Sequence, residues 1–204
     1  MSKVVSPIVL KAYVRPGADG NIRVELLGED GRLLARNLFR KPTVNTEGAY
    51  VNLKIPFEVR AAAELGRLQI ITEDEYGRPQ DISTVHLLLL SVGDNELNAP
   101  DPPYARTVIY HPETETLIYG GTITINGEIQ PYNENQIIIE VQDEEGKTLG
   151  NRVLSLDGVS RQSFSTTINY KVSEQTSARL IVRQADERIS GLIYLFSQEL
   201  VLSP

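Results

Sequence analysis

Apolar and polar residues alternate along most of this chain with a period of two, and the alternating runs come in two sets. Ile8, Leu10, Ala12 and Val14 are interleaved with Val9, Lys11 and Tyr13, the period of a strand and not of a helix. Ile22, Val24 and Leu26 follow in the same phase, which predicts that Arg23 and Glu25 face water. Val51, Leu53, Ile55, Phe57 and Val59 form the longest such run. Each of these runs has a twin. Residues 22–34 (IRVELLGEDGRLL) return as 137–149 (IIIEVQDEEGKTL), so Ile22, Glu25, Gly31 and Leu34 reappear as Ile137, Glu140, Gly146 and Leu149, always 115 residues on. The strand expected over 4–14 returns over 122–129, and the prolines that end the two, Pro16 and Pro131, keep the same separation of 115. The run from Val51 returns from Phe164, 113 residues on, and residues 66–70 return as 178–182, 112 residues on. The small losses fall in loops, where deletions are best tolerated.

After the second run of each set, Glu29-Asp30-Gly31 and Glu144-Glu145-Gly146 supply tight turns, with Gly31 and Gly146 free to take a positive φ. A last strand closes each set, around 84–90 and 194–202, and its inward side is not assignable because both faces are apolar. Residues 58–65 (EVRAAAEL) carry the one stretch of helical propensity, enough for a single bridging turn. Residues 98–103 (NAPDPP) make the stiffest part of a connector, and residues 107–110 (TVIY) suit an extra edge strand ahead of the second set. The expected organisation is a first unit over 1–95, a connector over 96–116 and a second unit over 117–204.

Composition narrows the function classes. A net charge of −7 with a pI near 5.0 argues against nucleic acid, which needs a basic face. The absence of cysteine removes disulfides, thiolate metal sites and thiol nucleophiles. No apolar run is long enough to span a bilayer as a helix, and Ser6-Pro7 interrupts the N-terminal apolar run before it can serve as a secretory signal.

Candidate chemistry is sparse. His86 lies in an apolar strand and His111 precedes Pro112 in the connector, with no G-x-S-x-G elbow and no phosphate loop opening a helix. The expectation is therefore a protein that is not an enzyme and holds no cofactor. Calcium is the ion weighed, through Asp143, Glu144 and Glu145 at one strand end and comparable acids at 73–75 and 186–187. Tyr104, Tyr110, Tyr119 and Tyr132, in or near the connector and the second unit's loops, are the candidates for stacking on a sugar or peptide, or for packing.

Six or seven short strands per unit with no crossover helix point to all-β architecture: two tandem antiparallel sandwiches of immunoglobulin or fibronectin type III shape, joined by the proline-rich connector. Residues 120–127 (GGTITING), Pro131 and residues 137–146 (IIIEVQDEEG) resemble the opening half of the immunoglobulin-like domain of bacterial spore-germination and related cell-envelope proteins. Residues 164–172 resemble its central strand and residues 178–180 the next. The chain departs from that pattern at Ala12, where glycine is favoured, and lacks tryptophan at the start of the central strand. The resemblance implies a cell-surface or secreted setting, partners that are proteins or envelope components, and a binding, adhesion or spacer role. A cytoplasmic location is the alternative, as is an accessory module that holds a carbohydrate or peptide near the connector.

Overall fold

The computed structural model describes residues 1–41, 48–98 and 105–204. The chain divides into two compact units, Met1–Pro103 with Arg188–Ser190, and Tyr104–Glu187 with Gly191–Pro204. The proline-rich heart of the expected connector, 99–103, lies outside the described residues.

In the first unit, β1 (Ser2–Val5), β2 (Ile8–Val14), β3 (Asn21–Leu27), β4 (Leu33–Arg40), β5 (Ala49–Ile55), β6 (Ala63–Glu73) and β7 (Pro79–Leu90) build two sheets. One runs β4-β3-β6-β7, all antiparallel, with β1 added in parallel along β7; the other pairs β2 with β5. Ile22, Val24, Leu26, Leu68, Leu87 and Leu89 from the first sheet meet Ile8, Val51 and Ile55 from the second in one buried cluster. Each of the fully buried side chains among them contributes roughly 1.5–3 kcal/mol by leaving water.

The second unit repeats the plan with β8 (Thr107–His111), β9 (Leu117–Ile118), β10 (Thr122–Ile129), β11 (Ile137–Asp143), β12 (Thr148–Leu154), β13 (Gln162–Asn169), β14 (Thr176–Ala185) and β15 (Leu192–Leu202). Its sheets are β12-β11-β14-β15, with β9 parallel along β15, and β13-β10-β8. Ile137, Ile139, Val141, Leu180 and Val182 face Ile123, Ile125, Phe164 and Ile168 across the core. Strand order and irregularities both match. The pairing of β3 with β4 slips between Leu26 and Leu27 and that of β11 with β12 between Val141 and Gln142, 115 residues on. Likewise β6 slips against β7 at Thr72 and Glu73, and β14 against β15 at Gln184 and Ala185, 112 residues on. A bulge re-aims every side chain beyond it, so matched bulges keep matched faces inward.

Three expectations are corrected. The strand expected over 4–14 is two strands in different sheets, parted at Ser6-Pro7, where proline offers no ladder donor. Residues 58–65 form no helical turn; Ala63, Glu64 and Leu65 already belong to β6 and pair with Leu90, Leu89 and Leu88. Propensity yields there to the ladder. Glu25 does not face water: it is 6% exposed, because Arg36 and Gln69 on the flanking strands close over it. The Arg36 Nε donates to Oε1 at 2.7 Å and the Gln69 Nε2 to Oε2 at 2.8 Å. Its twin Glu140 is also buried and takes a bond from Arg183 Nε at 2.8 Å.

Candidate functional site

The turn residues come first, because the acids in them were candidate ion ligands. In both units a five-residue turn is closed the same way: Gly28 N–H donates to the Arg32 carbonyl at 2.9 Å, and Asp143 N–H to the Lys147 carbonyl at 3.1 Å. Gly31 and Gly146 sit at φ +77° and +81°, a conformation that costs glycine nothing. The Asp143 carboxylate is spent on the turn itself, its Oδ1 accepting from Glu145 N–H at 3.0 Å and Lys147 N–H at 2.9 Å. Glu144 and Glu145 are exposed. Among the described residues no three His, Asp or Glu side chains come together as a metal-holding group. Pro16 and Pro131 lie just beyond the ends of β2 and β10.

In the first unit the same turn is held from outside. Gly28 has no side chain to cap it, and Glu64 on β6 reaches across, accepting from Glu29 N–H at 3.2 Å and from Arg32 Nη2 at 2.8 Å. A Cβ on Gly28 would collide with the Glu64 carboxylate. Burial pushes the Glu64 carboxyl up, but the hydrogen bonds and charge of Arg32 and the backbone N–H donors outweigh it and leave it below the ordinary glutamate range. Arg32 is correspondingly raised by its bond to Glu64.

The tyrosines scatter. Tyr104 lies outside the described residues. Tyr132 is engaged within its own unit: the Arg106 guanidinium sits 3.5 Å from its ring centroid, and the Tyr194 ring lies 6.2 Å away. Tyr110, on β8, and Tyr119, just after β9, are exposed at 58% and 65%. His86 lies on β7 opposite Arg67, and His111 is an exposed residue at the end of β8. An open groove of about 400 Å³ runs over the start of β3, lined by Asn21, Arg23, Leu38, Arg40, Ile71 and Glu73; Arg23 and Glu73 pair across it at 2.7 Å.

The surface that stands out was missed by reading each unit alone. On the outward face of the β2–β5 sheet, Val9 lies opposite Lys54, Lys11 opposite Asn52 and Tyr13 opposite Tyr50. All six are exposed, and none is acidic. At the same steps of the repeat the second unit carries Thr124, Asn126 and Glu128 on β10, and Ser163, Ser165 and Thr167 on β13. One face is apolar, aromatic and cationic; its twin is polar, mostly hydroxylated, and carries the acid Glu128. The separations of 115 and 113 expose this difference from the sequence alone, once outward positions are compared as inward ones are.

A second difference lies at the edge of that sheet. In the second unit β8 pairs along the outer edge of β10, antiparallel, and Ile109 packs against the core. Gly127 permits the approach, since a Cβ there would collide with the Val108 carbonyl. In the first unit, among the described residues, β2 pairs with β5 and with no strand on its other side. The inward residues register the loss: Ile125 and Ile129 on β10 are fully buried, whereas their counterparts Leu10 and Val14 on β2 are only partly buried, although Ile8 is buried like its counterpart Ile123.

No family model and no curated protein matches the chain. Among solved structures it is similar to the BSP domain of a biofilm-associated protein (10% identity, TM-score 0.29, 100% of this chain and 29% of that one). It is also similar to red sea bream transglutaminase (8%, TM-score 0.32, 99% and 32%) and to CBD12 from CALX1.2 (10%, TM-score 0.22, 99% and 96%). The chain spans under a third of the length of the first two. At TM-scores of 0.32 or lower these likenesses assign the chain no role.

Proposed function

We propose that the chain is a non-enzymatic binding or adhesion module of the bacterial cell envelope, built from two immunoglobulin-like sandwiches. The observation that carries this is the divergence of two otherwise matched units. Core residues, bulges and turn bonds are kept, while the β2–β5 face has become a Tyr- and Lys-bearing surface. Selection on a plain spacer would leave both outward faces interchangeable; a face that differs in aromatic and cationic content suits recognition. The likeness of residues 120–127, 137–146, 164–172 and 178–180 to envelope immunoglobulin-like domains supports the setting.

Co-sedimentation of the purified chain with washed bacterial cells and isolated walls tests the reading. Saturable retention that exceeds that of an unrelated protein of equal charge is expected. Retention no greater than that control sinks it.

A further inference from the structure

Within the binding role just proposed, on which this rests, we infer that the outer edge of β2 accepts an extended segment of another polypeptide as an added antiparallel strand. The segment's inward positions are apolar and its outward positions acidic. The second unit supplies the template. There β8 occupies the same edge of β10, runs antiparallel to it and contributes Ile109 to the core. The first unit has the same receiving strand with its inward residues Leu10, Ala12 and Val14 only partly buried against the core, so an incoming apolar side chain completes their burial. Main-chain pairing gives such a guest its affinity and alternate side chains its specificity.

The outward charge selects the guest. Lys11 and Lys54 stand on this face with Val9, Tyr13 and Tyr50 and without an acid, on a chain whose net charge is −7. Carboxylates on the guest's outward positions lie beside Lys11, where opposite charges on neighbouring strands attract. A second copy of this chain is the poorer occupant. Twofold pairing of β2 with β2 would gather four lysines on one face with no acid among them, a usual defence of edges against self-association. Ala12 also shapes the pairing. Its Cβ stands where Gly127 has none, so the guest cannot follow β8 through its bulge at Asn126 and Gly127 and must pair without one.

The test uses the full chain, isotope-labelled, with a capped synthetic peptide of about eight residues alternating valine and glutamate, long enough to cover a typical strand. Slowed amide exchange confined to residues 8–14 is expected, with binding weakened on the order of tenfold by Lys11→Glu and weaker still for a valine–lysine peptide. Of two peptides N-methylated at alternate amides, the one whose methyl groups face β2 should not bind, and the one methylated in the opposite phase should. The inference is overturned by an absence of binding, by equal binding of the methylated peptides, or by protection elsewhere. A peptide-free dimer that buries β2 overturns it too, by giving the edge to a second copy. Cell retention is measured in parallel. Retention with no peptide binding defeats the added strand alone, whereas loss of retention in the unaltered chain defeats the binding role itself.

Discussion

Ala12 and Gly127 occupy the same step of the repeat, yet a strand lies across Gly127 and, among the described residues, none lies across Ala12. Elsewhere the two units agree on what is expensive to change. Leu68 and Leu180 are both buried, the bulges coincide, and both hairpin turns rest on a glycine at positive φ. Where they disagree, each has solved the same local problem with different atoms. Asp143 caps its own turn; Glu64 caps the other from β6. Tyr170 N–H donates to the Gly121 carbonyl at 2.9 Å, while its twin Phe57 N–H donates to Ser6 Oγ at 3.0 Å. Interiors are held by packing, which punishes change, and surfaces are not.

Truncating the matched core residues gives the strongest test of that equivalence. Leu68→Ala and Leu180→Ala should each cost about 2–5 kcal/mol in the unit that holds them, read by denaturant-dependent amide exchange. A large inequality breaks the claim that the interiors are interchangeable. Gly127→Ala comes next, at about 1–3 kcal/mol, with exchange accelerated along β8; the mirror change Ala12→Gly should cost only about 0.5–1 kcal/mol. If Gly127→Ala is silent, the glycine is not what admits β8. Tyr170→Phe makes the second unit like the first. It removes hydroxyl bonds to the Ile118 and Ser203 carbonyls, at 2.9 and 2.8 Å, and should cost about 1 kcal/mol in urea melts.

The smallest effect is on pH. Glu64 is depressed in the fold, so its contribution is complete above the ordinary glutamate range and is lost as pH falls through its lowered value. Amide protection in the β3–β4 turn, measured relative to the intrinsic exchange rate at each pH, should therefore fall on acidification, and Glu64→Gln should remove that slope. The β11–β12 turn, capped by Asp143, should keep its own behaviour in that variant.

Much of the fold was legible because strands with one buried face advertise their period. The separations of 115, 113 and 112 survive in the register as matched pairs and matched bulges. Two features were not legible. Burial along β7 changes phase, from Ile82 and Thr84 to Leu87 and Leu89, so no single inward side exists for a periodic pattern to reveal. Glu25 looked like a solvent residue because sequence reports its charge and not the long side chains of neighbouring strands that fold over it. The candidate tyrosines fared similarly: nothing in their spacing shows that Tyr132 carries Arg106 on its ring. The β2–β5 face was within reach, since it needs only the outward positions of the two repeats set side by side.

In each unit an early strand lies parallel to the last one: Ser2, Lys3, Val4 and Val5 along Leu87 to Leu90, and Leu117 and Ile118 along Val201 and Leu202. Tension applied between the start of such a unit and its end drives these parallel neighbours past each other lengthwise. The bonds between them are then loaded together, where a hairpin pulled at its open end would release them one by one. Four paired residues hold the first unit's clamp; in the second, two paired residues are joined by a bond from the Glu115 N–H to the Glu199 carbonyl at 2.8 Å.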